Sequence, residues 1–355
     1  MKIVFDNIIF SLQSSGGISV VWANLLDRII RKEQINYRVI EYGSPSNIFR
    51  KNIDIPIQNI EHRNLKFLKL FRYLSPKLVE LREKFIFHSS YYRVCFNPYA
   101  INITTVHDFT YEYFRHGIAR KIHSWQKEKA IRNSDYIVCI SKNTKKDLLK
   151  FIPDIDPGKV RVIYNGVSDS YYIMDSVPYP QYMNFVLFLG ARDDYKNFKF
   201  TVNSLKSTRF NLLICGKPLS CDEEQFLNVN LGSDRYILLS GISDEELNKV
   251  YNSVYCLSYP SSYEGFGIPV IEAQKAGCPV ICLNMSSIPE IVGENYPTLN
   301  NLSTESFVKL LNLFSDFDSR DKIKKLGSLN AQRFSWDKMF EEYLSLYAEA
   351  LKESI

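Results

Sequence analysis

Short apolar runs that end at glycine, at small polar residues or at a His-Asp pair recur along the chain, separated by stretches of helical period. Ile3 to Phe5 and Ile8 to Phe10 read as extended segments, followed by Ser14-Ser15-Gly16-Gly17 and a helix from about Ile18 to Arg31. Tyr37 to Tyr42 reads as a second strand. The β-rich start of INITTVHDFTYEYF, residues 101–114, ends at His107-Asp108, which places that pair at the carboxyl end of a strand, where open α/β sheets hold ligands. DYIVCISKNTKKDLLKF, residues 135–151, gives a strand, a Ser/Asn/Thr cap and a basic helix, and VRVIYNGV adds a strand ending at Asn165-Gly166. From Val167 to Met183 the pattern lapses into Ser, Asp, Tyr and Pro, a linker composition.

A second series then begins. FVLFLG (185–190), NLLICGK (211–217), RYILLSG (235–241) and Val254 to Tyr259 read as strands. Ser243-Asp244-Glu245-Glu246 forms a capping box for a helix through about Asn252. Trp336 to Lys352 is a final helical run. Strands alternating with helices in two series predict an α/β protein of two domains, residues 1–170 and 184–335, with a C-terminal helix over 336–355.

The stretch SSYEGFGIPVIEAQKAGCPVICLN, Ser261 to Asn284, carries the densest candidate chemistry. A Ser/Gly-rich loop holds Glu264, and Glu272 follows eight positions later, with Gly265, Gly267 and Pro269 between them. Pro269 suits a first helical turn and Gly277 a helix end. Such a helix start points unpaired N–H groups and a positive dipole end into the loop, a ready site for phosphate. Glutamates at this spacing on an ordinary βαβ unit are also simply solvated, so the neighbours decide the reading. Gly16-Gly17 after the first strand is a second place where backbone amides can approach an anion closely. Arg192 and Lys196, in the loop after 185–190, are placed to neutralise a diphosphate.

Composition changes this picture little. With 355 residues and ordinary apolar and charged fractions, two domains are the natural expectation. Seven cysteines without CxxC or Cys/His metal spacing read as buried reduced thiols of a cytoplasmic protein. Asp154-Ile155-Asp156 has a metal-like spacing but sits between Pro153 and Pro157-Gly158 and reads as turn chemistry. MKIVFDNIIFS reads as a first strand rather than a leader, and no apolar run reaches membrane-span length. The net charge of +5 splits into about +10 over residues 1–175 and about −5 over the rest. Much of the positive charge lies in residues 61–85. There Phe67, Leu70, Phe71, Leu74, Leu78, Leu81 and Phe85 recur at helical spacing among lysines and arginines, and Ser75-Pro76 divides two helices. This stretch is either an amphipathic surface for anionic lipid or a pair of core-facing helices with solvated basic faces.

With EGFG, IPVIEA and AGCPVI around the two glutamates, Ser261–Asn284 resembles the E-x7-E signature of the retaining glycosyltransferases of family 4 (GT4), which have the GT-B fold. That resemblance implies two Rossmann-like domains facing across a cleft, the first binding acceptor and the second nucleotide sugar, with the C-terminal helix crossing back to the first. It implies that Glu264, with Phe266, Gly267 and Ile268, holds the donor sugar and that Glu272 binds the ribose. Arg192 and Lys196, near Gly216, match the pair that holds the donor diphosphate and stabilises the leaving group without a divalent metal. His107 matches a histidine that hydrogen-bonds the donor sugar, with Asp108 beside it, and Gly16-Gly17 matches a loop lining the cleft. One departure stands out: YPTLNNLST occupies the place of the family's aspartate-alanine run after the short helix Ser286 to Ile291.

The order of motifs is most similar to mannosyl and rhamnosyl transferases of bacterial surface polysaccharide synthesis. The expectation is therefore transfer of a hexose, mannose from GDP-mannose being favoured over UDP- or dTDP-sugars, to a glycan or lipid-linked saccharide. The expected place is the cytoplasm or the inner face of an anionic membrane, without a nucleic-acid partner. A GT-B epimerase and a non-catalytic sugar-nucleotide or glycan-binding partner share the architecture and stand as alternatives.

Overall fold

Strands rich in Val, Ile, Leu and Phe, covered on both faces, form two all-parallel sheets in the computed structural model, which describes residues 1–64, 68 and 72–353. The chain divides into two units: Met1–Gly166 together with the segment from Trp336 onwards, and Val167–Ser335. The first sheet contains β1 (Lys2–Asp6), β2 (Asn36–Tyr42), β3 (Ile60–Arg63), β4 (Phe85–Ser89), β5 (Ala100–Val106), β6 (Tyr136–Cys139) and β7 (Val160–Val162), in the order β3-β2-β1-β4-β5-β6-β7. The chain runs outward from β1 to β3 and restarts on the other side of β1 with β4, so the topological switch lies between β1 and β4. The second sheet contains β8 (Phe185–Leu189), β9 (Asn211–Cys215), β10 (Tyr236–Leu239), β11 (Cys256–Tyr259) and β12 (Val280–Cys282), in the order β10-β9-β8-β11-β12. Its switch lies between β8 and β11. In such sheets the crevice at the carboxyl ends beside the switch is where ligands sit.

The helix Trp336–Glu353 is part of the first unit because it is bonded into that unit's core. Buried His88 on β4 meets Tyr347 Oη through Nδ1 at 2.7 Å and Thr105 Oγ1 through Nε2 at 2.9 Å, and Tyr343 Oη meets the same threonine at 2.9 Å. Arg28 on the helix Gly17–Ile30 adds an ion pair to Asp337 at 2.6 Å.

Two local expectations are corrected. Ile8 to Phe10 is not extended: Ile9–Leu12 is one helical turn, because Ile9 N donates to Ser90 Oγ and Phe10 N turns back to Asn7 O, which buries Ile9 and Phe10. The expected helix after Ser75-Pro76 is absent. Residues 76–84 form turns, and Phe85 opens β4. Leu78 and Leu81 still reach the core beside Val4, Ile40 and Phe85, since Asn97 Nδ2 donates to the carbonyls of both leucines and closes the turns. Most of the preceding expected helix, including Phe67, Leu70 and Phe71, lies outside the described residues. Among the described residues no helix is long and apolar enough to cross a membrane.

Candidate active site

The loops that leave β8 and β11, the two strands at the second unit's switch, are laced together. Asn197, left-handed at φ +55°, donates from Nδ2 to Pro260 O and Ser262 Oγ, each at 2.8 Å, and Ser262 N donates to Tyr195 O at 2.8 Å. The lacing brings Lys196 Nζ to 2.5 Å from Glu264 Oε1, with both side chains largely shielded from solvent. Two serines fix the rest of the loop. Ser286 Oγ accepts from Glu264 N at 2.9 Å, and Ser287 Oγ donates to the carbonyls of Glu264 and Phe266. Gly267 then takes φ +106° and opens the helix Ile268–Lys275, with Pro269 in its first turn and Gly277 (φ +69°) just past its end. A side chain at 267 would be strained there, and its Cβ would stand 2.8 Å from Ile288 Cδ1. The glycine cap puts no side chain over the helix start, where Pro269 has no N–H and Val270 N donates to Gly267 O at 2.9 Å, and the helix turns its positive dipole end into the loop.

Glu272, one turn into this helix, accepts from Tyr251 Oη at 3.1 Å and lies beside Tyr171 and Asp244. Burial, reinforced by the Asp244 charge, pushes its carboxyl up to about 8 despite the tyrosine hydrogen bonds. Burial raises Asp244 as well. Glu272 is thus mostly protonated at neutral pH, able both to donate and to accept.

Arg192 departs from the arrangement expected of it. It forks onto Glu223, from Nε at 2.6 Å and Nη2 at 3.1 Å, and donates to the carbonyls of Lys217 and Pro218. Four of a guanidinium's five N–H groups are engaged in tying the β8 loop to the β9 loop and to the helix Cys221–Asn230. Glu223 also closes a capping box with Ser220, and the Arg192 guanidinium holds its carboxyl below the usual range. Gly216 ends β9 so close to β8 that a Cβ there would stand 2.8 Å from Gly190 O.

In the first unit, His107 and Asp108 follow directly on β5, at its carboxyl end. Burial, opposed by the Asp108 charge and helped by Lys127, lowers His107 to about 4, so its imidazole is neutral. Asp108 Oδ1 accepts from Thr110 N at 3.1 Å. Its carbonyl accepts from buried Lys127 Nζ at 2.7 Å, and that ammonium pairs with Glu112 at 2.8 Å. Gly16 and Gly17 lead into the helix Gly17–Ile30 after the β1 carboxyl end, with Ser19 Oγ donating to Gly16 O. Asp156 caps the turn Pro157–Lys159 by accepting from Gly158 N, and Asp154 pairs with Arg132, which is the turn chemistry expected of that Asp-x-Asp.

Sequence reading passed over Glu223, Tyr171, Tyr251, Asp244, Lys127 and Glu112 as site residues. Ser220-x-x-Glu223 was a visible capping signal for the first. Asp244 showed only as part of the capping signal after Ser243, and the rest are distant in sequence from the groups they touch and carry no local signature.

Two family models cover almost the whole chain: Glycosyltransferase Family 4 over residues 15–171 and Glycosyl transferases group 1 over residues 173–327. The O-antigen chain mannosyltransferase RfbU of Salmonella typhimurium is 29% identical over 61% of this chain, and the match spans 62% of RfbU's own length. The uncharacterized glycosyltransferase MJ1178 of Methanocaldococcus jannaschii is 25% identical over 98% of each chain. Among solved structures, Anabaena HepE in complex with UDP and glucose superposes with a TM-score of 0.72 at 14% identity, over 98% of this chain and 99% of that one. With a parallel-sheet Rossmann-like unit under each family match, this chain belongs to the family 4 glycosyltransferases of GT-B fold.

Proposed function

We propose that this glycosyltransferase moves a hexose from a nucleoside diphosphate sugar to a hydroxyl of a glycan or lipid-linked saccharide in surface polysaccharide synthesis, with retention at the anomeric carbon. The observation that carries the reading is the shielded Lys196–Glu264 pair beside the glycine-capped start of the helix Ile268–Lys275. A cation beside the positive end of a helix suits the donor's diphosphate, and the neighbouring carboxylate suits a sugar hydroxyl.

In this scheme Lys196 stabilises the departing diphosphate, with Arg192 bracing the loop and contributing once it leaves Glu223. Glu264 and the backbone of Phe266, Gly267 and Ile268 hold the sugar, Gly216 lets the diphosphate approach the β9 end, and Glu272 meets the ribose. His107, neutral, and Asp108 serve hydroxyl groups, and Gly16 and Gly17 offer backbone to the substrates. The acceptor attacks on the face the diphosphate leaves, which retains the configuration, and the Lys196 and Arg192 charges stand in place of a divalent ion at the leaving diphosphate. Mannose from GDP-mannose is the favoured donor because RfbU is a mannosyltransferase; HepE, crystallised with UDP and glucose, keeps a UDP-sugar as the competing choice. Work in the cytoplasm accords with seven cysteines that form no disulfide.

The test is transfer from GDP-mannose, UDP-glucose and a dTDP-sugar to a saccharide acceptor, with the product's anomeric configuration read by NMR. Retention, undiminished in excess chelator, is expected. An inverted product or strict dependence on Mg²⁺ contradicts the scheme.

A further inference from the structure

The helix Gly117–Arg132 buries the wrong residues for an ordinary amphipathic helix. Its inward side buries His123, Gln126 and Lys127 along with Ala130 and Ile131, while its outward side carries Ile118 (76% exposed), Ile122 (40%) and Trp125 (53%). These three stand at i, i+4 and i+7, one stripe of the helix, with Lys121 on the same face. The stripe does not end with the helix. Lys129 Nζ lies 5.2 Å from the Trp125 ring centroid and 5.8 Å from that of Phe96, which is itself 61% exposed. Phe96 then lines a surface hollow of about 700 Å³ together with Val79 (80% exposed), Tyr99, Lys77 and Arg82.

Large apolar side chains exposed together mark an interaction surface. Here they stand in a cationic frame, within the half of the chain that carries about +10. The acidic member of the helix's outer side, Glu128, is paired with Arg132.

We infer that this face docks on a bilayer containing anionic phospholipid. Tryptophan settles at headgroup depth, isoleucine enters the acyl boundary, and lysine stems lie along the apolar surface with their ammonium groups at lipid phosphates. The lysines make the contact selective for anionic lipid. The surface takes in Lys77, Val79 and Arg82 from the 61–85 stretch that the sequence singled out but centres on Phe96 and the helix Gly117–Arg132, and it does not depend on which sugar is transferred.

The test uses the full chain with vesicles of phosphatidylcholine alone and of phosphatidylcholine with phosphatidylglycerol. Trp22 and Trp336 are each only 5% exposed, so a change in tryptophan emission on docking reports Trp125. A blue shift and co-sedimentation with the anionic vesicles only, weakened by salt, are expected. An Ile118→Asp, Ile122→Asp double variant is expected to lower vesicle partition about tenfold or more, with melting temperature and nucleotide affinity unchanged. Separately, Lys121→Glu with Lys129→Glu is expected to abolish the preference for anionic vesicles, which keeps the test decisive should the aspartate variant fail to fold. The proposal is overturned by the absence of a shift with both lipids, by partition that neither variant alters, or by a shift that appears on concentrating the protein without lipid and so assigns the face to a second copy of the chain.

Discussion

Glu272→Gln is expected to stabilise the second unit, by an amount that grows with pH. The carboxyl rises from an ordinary value of 4.5 to about 8 in the fold, mainly through burial, with Asp244 adding to it. The unfolded chain releases this proton above 4.5 and the folded chain only near 8. The contribution of the raised group is therefore fully present below 4.5, and wild-type stability is lost as pH rises from there through 8, at about 1.4 kcal/mol per unit. By pH 7 the accumulated cost is roughly 3 kcal/mol, and it levels off above pH 8. Glutamine has no proton to release and can still accept from Tyr251 Oη, so the variant escapes the cost. For a unit of this size, roughly 3 kcal/mol corresponds to a melting temperature higher by about 6–10 °C at pH 7. Calorimetric melting of both proteins from about pH 5 to about pH 9 should show a gap that widens and then flattens near the folded-state value. A gap independent of pH, or a variant less stable throughout, refutes the reasoning. If Glu272 meets the ribose, the same variant also loses nucleotide affinity, trading binding for stability.

The acid side has its own expectation. Burial lowers His88 to about 3 and His107 and His123 to about 4, so these groups resist protonation in the fold while the unfolded chain takes up protons below 6.5. Stability should fall between pH 6.5 and 4 by about 1.4 kcal/mol per unit for each group, and His123→Phe should flatten that slope by roughly a third in pH-dependent denaturant titrations. Gly216→Ala forces a Cβ to within 2.8 Å of Gly190 O and should cost on the order of 1–3 kcal/mol. Gly17→Ala, with nothing within 4 Å, should leave the melting temperature unchanged, so any lost turnover would report on ligand approach. Arg192→Ala should lower the melting temperature by cutting the tie to Glu223 while weakening nucleotide binding less than Lys196→Ala does; the reverse order would return Arg192 to the centre of the diphosphate site.

Much of this was legible in the chain. Runs such as FVLFLG and NLLICGK ending at glycine became β8 and β9, because a residue buried on both faces must be apolar and a turn with positive φ or close backbone contact favours glycine. Glu264 and Lys196, far apart in sequence, were both named, and their loops do bring them together. The illegible parts share a cause: their determinants come from elsewhere in the chain. Leu78 and Leu81 have helical spacing, yet Asn97 closes their carbonyls into turns. Arg192 stands in the expected loop, yet Glu223 occupies its fork. Ser243 caps Glu246 N as expected, while the reciprocal box closes at Ser220 and Glu223. The helix Gly117–Arg132 has polar residues where the core pattern calls for apolar ones, because Asp108 O and Glu112 receive Lys127 inside.

The central claim is that the donor's diphosphate binds at Lys196. Its most direct test is calorimetric titration of the protein with GDP, UDP and dTDP, repeated on Lys196→Ala. One nucleotide should bind well above the others, and the substitution should weaken it by about tenfold or more while the protein remains folded. Binding that Lys196→Ala leaves unchanged, or no binding of any of the three, contradicts the account.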